Sequence, residues 1–293
     1  MKKVSIFWFR RDLRIEDNHG LFQALSASEP VLPLFIFDTN ILDRLSSKKD
    51  GRVEFIHQAI TQLNEATGGH LCVKHGNPLA VFKDLMTKWD IVRIYTNHDY
   101  ERYGLDRDAS ISELAQEKGI EFRSFKDQVV FEKDEVLSGA GTPYTVFTPY
   151  SRKWKALLAE TSLPNFPSSE STNYVSDTFT LPSLADIGFQ PSGLLFPQAS
   201  VADELIRAYA QDRDFPAKPG TSRLSVHLRF GTVSIRSLVR QALGKSEVWL
   251  NELIWRDFYF NILHHFPHIS ERHSFRKEYD RMNWRNNEEE FKA

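Results

Sequence analysis

Short apolar runs alternate with amphipathic stretches through the first 125 residues of this chain. Five runs have the length and composition of buried strands, at positions 4–9, 31–37, 71–73, 91–95 and 120–125. Between them, positions 51–66, 78–89 and 105–118 carry apolar residues at helical spacing. Strands that alternate with helices in this way form a parallel sheet covered by helices. The pattern therefore predicts an α/β fold with a parallel sheet.

The rest of the chain follows a different pattern. Positions 160–200 are rich in Pro and Ser and show little periodicity, which is typical of a linker that crosses the surface. Helical spacing then returns without strands, at 202–211, 223–230, 235–243 and 247–266. We therefore predict an all-α domain, or the beginning of one, after the α/β region.

Composition limits the classes of protein to which this chain can belong. Its 293 residues suggest two domains, and a formal net charge of -2 excludes a strongly basic protein. Cys72 is the only cysteine, so the sequence can form no internal disulfide and no zinc site built on several thiolates. We expect a reducing, cytoplasmic location, and no apolar run is long enough to predict a membrane span.

One predicted helix mixes tryptophans with charged residues. Within 249–259, Trp249, Glu252 and Arg256 fall on one side at helical spacing, and Trp255 lies toward the neighbouring face. One interpretation is core packing with a Glu252–Arg256 ion pair. The other is a pocket for a flat ring, because a leucine would pack with fewer unpaired polar atoms than a tryptophan. The local sequence leaves both interpretations open.

Two further stretches suit phosphate groups. At 218–225, Gly, Thr and Ser with a cation precede a predicted helix, which fits either a phosphate site or an ordinary helix N-cap. Between 205 and 245, eight cations stand against two carboxylates, which is a net charge of +6. Such a stretch can follow a phosphate backbone, or it can be a solvated cationic surface.

Other motifs that carry chemistry are missing. No G-x-G-x-x-G follows the first strand, which removes the main support for a nicotinamide cofactor. Walker, G-x-S-x-G and H-E-x-x-H motifs are also absent, so hydrolase and phosphotransferase functions lack support. Four histidines cluster at 264–273, but no thiolate joins them and Pro267 interrupts the helix. We therefore predict a polar helix end there and no metal site.

Three motifs in this order resemble those of the DNA photolyase and cryptochrome family. They are F-W-F-R-R-D-L-R at 7–14 with Asp17 and Asn18, R-D-F-P at 213–216 with G-T-S-R-L-S at 220–225, and N-E-L-I-W-R-D-F-Y at 251–259. The likeness covers the chain from Val4 to its last residue. It implies a Rossmann-like α/β antenna domain at 1–130, an interdomain linker at 131–200 and the amino-terminal part of an all-α FAD-binding domain at 201–293.

The third motif is similar to that of enzymes that repair cyclobutane pyrimidine dimers. The resemblance implies light-driven repair, in which the damaged bases are flipped out of the duplex and receive an electron from reduced FAD. The implied protein is a monomer in the cytoplasm, and its partner is damaged DNA.

The resemblance also implies roles for single residues. Glu252 would hydrogen-bond the dimer, Trp255 would pack against it, and Trp284 would be the surface end of a tryptophan chain that photoreduces FAD. The FAD phosphates would be held by Tyr209, Thr221, Ser222, Arg223, Leu224 and Ser225, and the flavin pocket would be lined by Trp249 and Arg256. Contacts with DNA would come from Arg213, Arg256 and Tyr259, together with Glu252 and Trp255.

Two features depart from the family's pattern. Where members that carry folate have an Asn-Glu pair, this chain has Tyr103 and Gly104, so a deazaflavin or flavin antenna, or none, is implied in place of folate. The family's helical domain also continues well past Trp284, which favours a fragment of a longer protein that is inactive in repair by itself. The alternatives are a cryptochrome-type flavin photoreceptor without repair activity and an isolated module that binds an antenna or a nucleotide.

Overall fold

The computed structural model describes residues 3–271 and 273–292. One sheet contains five parallel strands, which are β1 (Lys3–Phe9), β2 (Val31–Asp38), β3 (Cys72–Gly76), β4 (Asp90–Asn97) and β5 (Glu121–Phe125). Their order is β3-β2-β1-β4-β5, so the chain builds outward from β1 on one side and then adds β4 and β5 on the other. The predicted parallel α/β sheet is confirmed, and the strand ends differ from the prediction by no more than three residues.

The central strands are apolar because helices cover both faces of the sheet. The helices of this region are α1 (His19–Leu25), α2 (Thr39–Leu42), α3 (Gly51–Ala66), α4 (Pro78–Lys88) and α5 (Arg102–Glu117). Side chains of β1 point alternately to the two faces. Phe7 and Phe9 join the core under α1 and α3, whereas Ile6 and Trp8 join the core under α4 and α5.

Local sequence signals explain where these helices begin. Asn18, Asp38, Asp50 and Asn77 each accept a backbone N–H from the first turn of α1, α2, α3 and α4 in turn. Pro78 occupies the first turn of α4, where its missing N–H breaks no bond. Helix α1 escapes prediction from the sequence because its seven residues form only about two turns, too few to display a period.

The remaining helices are α6 (Phe147–Glu160), α7 (Asp203–Asp212), α8 (Ser225–Phe230), α9 (Ile235–Ala242), α10 (Glu247–His265) and α11 (Glu288–Lys292). Helices α7 to α11 lie in the predicted all-α region, and α6 precedes it. The limits of α7 to α10 lie within two residues of the predicted ones. Among the described residues, no helix combines the length and the apolar character that crossing a membrane requires.

Helix α6 lies inside the range 131–200 that the resemblance assigns to a linker. Its Tyr150 and Trp154 are completely buried and share a core with Ile254 of α10. The indole N–H of Trp154 also donates to Asp257 of α10 at 3.0 Å. This part of the range is therefore packed within the helical core. The domain limits near 130 and 200 stay a prediction.

The Pro- and Ser-rich segment after α6 is anchored on the α/β region. Tyr174 forms an isolated parallel bridge with Val31 of β2. Farther along, Ile187 and Phe189 are buried in the core on the α3 side of the sheet. The segment crosses the surface, as predicted, but these contacts fix its path.

A network of buried charges, the Asp127 network, joins the two regions. Asp127 accepts from Arg14 at 2.8 Å and from Arg236 of α9 at 2.9 Å. Arg236 also donates to Asp17 at 3.1 Å, and all four residues are buried. Burial by itself would raise the pKa of Asp127, but the two guanidinium groups outweigh it and hold the pKa below its usual range. The amino-terminal motif is thus a contact between the α/β and helical regions.

Gly231 is a second fixed point of this contact. It follows α8 in the left-handed conformation, with a φ of 66°, and a Cβ atom there would lie 2.6 Å from the Cα of Asp12. We expect Gly231→Ala to lower the free energy of unfolding by more than the roughly 1–2 kcal/mol that a left-handed L-residue costs. Gly244→Ala is the matched control, since Gly244 has a φ of 73° and nothing lies within 4 Å of the added carbon. Chemical denaturation measures both losses, and equal values would contradict the close contact.

Candidate functional site

Helix α10 carries the residues predicted for the lesion and flavin pockets, which are Trp249, Glu252, Trp255, Arg256 and Tyr259. Its N-cap is Ser246, whose side chain accepts from the backbone N–H of Trp249 at 3.3 Å. Trp249 is 2% exposed and belongs to the helical core. Glu252, Trp255 and Tyr259 follow at spacings of three and four, so they share the outer side of the helix. The helix thus has one buried side and one side that is open to a ligand.

An aromatic shelf, formed by Phe147 of α6 with Trp255 and Tyr259, lines this outer side. The rings of Phe147 and Trp255 are stacked, with centroids 3.7 Å apart and planes 5° apart. The rings of Trp255 and Tyr259 lie 5.6 Å apart at 24°, and Tyr259 is 59% exposed. Aromatic faces in such an arrangement accept a flat ring, including a nucleobase, by stacking.

Glu252 is paired with a residue outside its own helix. Its carboxylate accepts from the guanidinium of Arg213, which follows α7, and the two side chains are 37% and 33% exposed. The hydrogen bond raises the pKa of Arg213, whose guanidinium also lies 5.4 Å from the ring centroid of Tyr209. The interpretation that Glu252 pairs with Arg256 within α10 is therefore wrong, because Arg213 reaches it from another element.

Arg256 faces the α/β region instead. It donates to the backbone oxygens of Gln128 and, at 3.3 Å, Leu228. Its guanidinium lies 4.6 Å from the ring centroid of Phe260, and burial lowers its pKa to about 10. Arg256 and Glu252 thus have separate surroundings, and a contact of Arg256 with flavin or DNA stays a prediction.

Asp257 is a buried carboxylate that the sequence does not single out. Its Oδ2 atom accepts from Trp154 Nε1 and from the backbone N–H of Val130, each at 3.0 Å. Burial raises its pKa to about 6. These bonds attach α10 to α6 and to the segment after β5, so Asp257 positions the helix that carries the shelf. The sequence did contain a signal for Asp257, because a carboxylate on the core-facing side of a predicted helix needs buried hydrogen-bond partners.

The predicted phosphate loop lies between α7 and α8. Arg223 has a left-handed φ of 53°, and a Cβ atom on Gly220 would lie 2.7 Å from the backbone oxygen of Asp212. The loop therefore folds back closely onto the end of α7. Thr221 and Arg223 are exposed, so their polar groups face solvent.

The other predicted cofactor residues fall into two groups. Ser222 and Tyr209 are half-buried and Ser225 is exposed, so these three can reach a ligand through their side chains. Leu224 and Trp249 are buried in the same helical core. These two would support a cofactor from within the domain, and their direct contact with it stays a prediction.

Carboxylates neutralise most of the cations between 205 and 245. Arg236 and Arg240 both face Asp17. The other ion pairs are Arg229 with Glu101, Lys218 with Asp212, Lys245 with Asp203, Arg213 with Glu252, and Arg207 with Asp203. The net charge of this stretch therefore does not produce a continuous basic face, because folding brings in carboxylates from other parts of the chain.

A cavity of about 750 Å³ opens at the carboxyl edge of the sheet. Residues that follow β1 and residues that follow β4 both line it, and the strand order reverses between these two strands. Such a switch point is the usual ligand crevice of an open parallel sheet, and the volume is in the range of cofactor sites. The helical region closes one side of the cavity through Ser225, Val226, Arg229 and Phe230.

The cavity combines apolar walls with a few polar groups. Its apolar walls include Phe35, Phe37, Leu42, Leu45, Val53 and Ile56. The guanidinium groups of Arg10 and Arg107 lie 5.0 and 4.8 Å from the ring centroid of Trp8. The Tyr103 hydroxyl donates to Asp38, and burial together with this carboxylate raises the pKa of Tyr103 to about 12. A flat ring with polar substituents suits these walls.

Gly104 leaves no room for a side chain at the same edge. A Cβ atom there would lie 2.8 Å from the Cβ of Asp99, which Arg11 and Arg107 approach at 3.7 and 3.4 Å. Burial would raise the pKa of Asp99, but Arg11, Arg10 and Arg107 lower it to about 2. A glutamate at position 104 would have to displace this fixed carboxylate.

Most residues that line the cavity are missing from the sequence prediction of site residues, although Trp8, Arg10 and Arg11 belong to the first motif. A signal was present. Arg10 and Arg11 directly follow β1, and Asp99 and Glu101 follow β4. Because the carboxyl ends of parallel strands meet at one edge, these charged pairs could be expected to lie close together.

Two features lie near the end of the chain. Trp284 is 71% exposed, which agrees with a surface position, and its part in a tryptophan chain stays a prediction. His264 and His265 lie at the end of α10, where one ligating atom of each is within 4.8 Å of an Asp134 oxygen. The spacing of the histidines could not reveal this neighbour, which is distant in sequence.

The fold and these sites define a class of protein that combines an α/β region, with a cavity at the sheet edge, and a helical region, with an aromatic shelf. A family model described as DNA photolyase matches residues 5–169, and the FAD binding domain of DNA photolyase matches residues 249–293. The first match covers more than half of the chain. The chain therefore belongs to the DNA photolyase family, and the resemblance to this family that the sequence indicated is confirmed.

Individual relatives agree with this assignment. A deoxyribodipyrimidine photo-lyase of Synechococcus sp. is 32% identical, over 100% of this chain and 67% of its own length. A bacterial class III photolyase from Agrobacterium tumefaciens has a TM-score of 0.82 at 25% identity, over 100% of this chain and 65% of that one. The archaeal photolyase from Sulfolobus tokodaii has a TM-score of 0.79 at 29% identity, over 100% and 66%. The chain thus spans about two thirds of the length of these relatives.

Proposed function

We propose that the protein repairs cyclobutane pyrimidine dimers in DNA under light, as a deoxyribodipyrimidine photo-lyase with FAD as its cofactor. The aromatic shelf beside the Arg213–Glu252 pair supports this most strongly. It combines a stacking surface, a cation and a carboxylate, which are the groups that a flipped base and its phosphate require. Because the chain spans about two thirds of its relatives, the proposal concerns the activity of the whole protein.

The shelf offers flipped bases a replacement for the stacking that they lose outside the duplex. Stacking on an aromatic side chain contributes about 1–3 kcal/mol per base. Phe147 stacks on Trp255 and fixes the orientation of its ring, so the Trp255 side chain loses little conformational entropy when a base binds. Glu252 then accepts or shares a hydrogen bond at the edge of the dimer, and Arg213 binds a backbone phosphate.

The residues of the phosphate loop fit the cofactor. Solvent-facing hydroxyls at Thr221 and Ser225 and the guanidinium of Arg223 suit diphosphate oxygens. When bound, reduced FAD would supply under light the electron that splits the dimer. The chain's own part is to bind the bases, to orient them on the shelf and to hold the edge of the dimer through the hydrogen bond that Glu252 accepts.

Replacement of Glu252 tests this proposal. In the whole protein, Glu252→Ala should lower light-dependent repair of a thymine-dimer oligonucleotide by at least about tenfold, because the hydrogen bond that Glu252 accepts from the edge of the dimer, and that orients it on the shelf, is lost. Flavin absorbance should be unchanged. Glu247→Ala is the control, since it removes a carboxylate from the same helix that instead pairs with Lys155 at 2.6 Å. Full repair by the Glu252 variant, or none by the wild type with reduced FAD bound, would contradict the proposal.

We also propose that the cavity at the sheet edge holds an antenna chromophore, either a flavin or a deazaflavin. Its size and its flat apolar walls suit a tricyclic ring. Gly104 leaves no place for the glutamate that folate carriers have. The photolyase from Sulfolobus tokodaii is described with two FAD molecules, which imply a novel light-harvesting cofactor in that protein. Ser225 belongs both to the cavity and to the phosphate loop, so the two chromophores would be close neighbours.

A further inference from the structure

We infer that the ion pair between Arg213 and Glu252 makes the site selective for damaged DNA. Arg213 holds Glu252 until a DNA phosphate takes the place of Glu252 on the guanidinium group. The inference rests on the proposed function, because it concerns how the same site distinguishes damaged from undamaged DNA. In the structure, Arg213, which would bind the phosphate, forms an ion pair with Glu252, which would bind the dimer. While this pair is closed, each group uses on the other a hydrogen bond that its role in binding requires.

The geometry of Arg213 makes such an exchange possible. Its backbone N–H bonds to the carbonyl of Tyr209 at 3.0 Å, so the end of α7 fixes where the side chain begins. Its Nη1 atom donates to Glu252, and its Nε atom donates to Asp214 at 3.3 Å. Two of the three guanidinium nitrogens therefore face carboxylates. A phosphate that takes two parallel N–H bonds must displace one of them.

The exposure of the pair makes the exchange easy. The side chains of Arg213 and Glu252 are each about one-third exposed, and ion pairs of this kind contribute little to stability. A phosphate brings a full negative charge and the geometry that a guanidinium fork binds best. The backbone of any duplex can therefore open the pair.

The net cost of opening the pair depends on the DNA that is bound. Next to an undamaged duplex, the released Glu252 carboxylate has no new partner and lies close to phosphate charge, which is unfavourable. Next to a flipped dimer, the base on the shelf offers Glu252 a hydrogen bond. Only a bound lesion therefore offsets the free energy of opening the pair. Selectivity arises from this penalty on undamaged DNA as well as from contacts with the dimer.

A double-mutant cycle tests this. Fluorescence anisotropy would measure binding of the wild type, Glu252→Gln, Arg213→Gln and the double variant to two labelled duplexes that differ only in one thymine dimer. We expect Glu252→Gln to bind the undamaged duplex about two- to fivefold more tightly, because Arg213 no longer has to leave an ion pair. Binding of the dimer duplex should weaken. In the Arg213→Gln background, Glu252→Gln should no longer tighten binding of the undamaged duplex.

Two control variants separate the pair from general charge effects. Glu247→Gln removes one negative charge from α10, and Arg207→Gln removes one positive charge from α7, without touching the pair. If Glu252→Gln tightens undamaged binding no more than Glu247→Gln does, or equally with and without Arg213, the inference is overturned. A different outcome would reject the proposed function and keep the inference that the pair opens on DNA. In that outcome, the effects of the two substitutions on binding of undamaged DNA are coupled, but the wild type shows no preference for the dimer duplex.

Discussion

Asp127→Asn should lower the free energy of unfolding by about 3–5 kcal/mol. The substitution keeps the size of the side chain and removes the charge that Arg14 and Arg236 share in the Asp127 network. Two buried guanidinium groups would remain with one carboxylate fewer between them, and a desolvated charge without a partner is costly. Urea denaturation followed by circular dichroism would measure the loss.

The loss should depend on pH. Because the pKa of Asp127 is lowered in the folded protein, its stabilising contribution is present above the unfolded carboxyl value of about 4 and fades as the pH falls. The difference between Asp127→Asn and the wild type should therefore shrink in acid. Asp106→Asn is the control, because Asp106 pairs with Arg102 in full view of solvent, and it should stay close to the wild type. If both variants lose equally little, the network does not hold the two regions together.

Ile56→Trp should abolish binding of a flavin or a deazaflavin in the cavity. Ile56 lies on α3 and lines the cavity, so the larger ring would occupy the space that a tricyclic ligand needs. We expect a loss of affinity of at least about a hundredfold, which corresponds to about 3 kcal/mol. Titration with flavin mononucleotide and with 8-hydroxy-5-deazaflavin, followed by fluorescence, would measure it.

A matched variant and a different ligand make this test specific. Gln58→Trp adds the same ring at an exposed position on the same helix, and it should leave binding unchanged. A methenyl folate should bind poorly to the wild type. Members of the family that carry folate have a glutamate at this position, whereas this chain has Gly104 beside the fixed Asp99. Equal binding of folate and flavin, or tight flavin binding by Ile56→Trp, would refute the assignment of the cavity.

The elements that the sequence predicts well are those with a long repeat of apolar residues. The sheet and helices α3, α4, α5 and α10 have enough residues to display a period of two or of 3.6. Helix α1 is too short to do so. Helix α6 is interrupted by Thr, Ser, Arg and Lys, and only its burial of Trp154 against α10 shows why it forms. Tertiary packing here outweighs the local pattern.

The candidate site could be predicted only in part, because charged side chains often pair with residues that are distant in sequence and are brought close by folding. Helical spacing predicts that Trp255 lies toward a neighbouring face, apart from Glu252 and Arg256. In the structure, Trp255 instead shares the outer side of α10 with Glu252 and stacks with Tyr259. The same reasoning pairs Glu252 with Arg256, whereas folding brings Arg213 to Glu252 and turns Arg256 toward Gln128. The stretch of eight cations loses its apparent basic face for the same reason.

The sequence by itself determined the succession of strands and longer helices in the α/β region, the family and the residue types of α10, because these depend on local periods and motifs. Tertiary structure alone decided which charges meet. It placed Arg14, Asp17, Asp127 and Arg236 in one buried network, built a cavity from the ends of β1 and β4, and joined Arg213 to Glu252. Such contacts join residues that are far apart in the chain, and their energies depend on burial, which a sequence does not display.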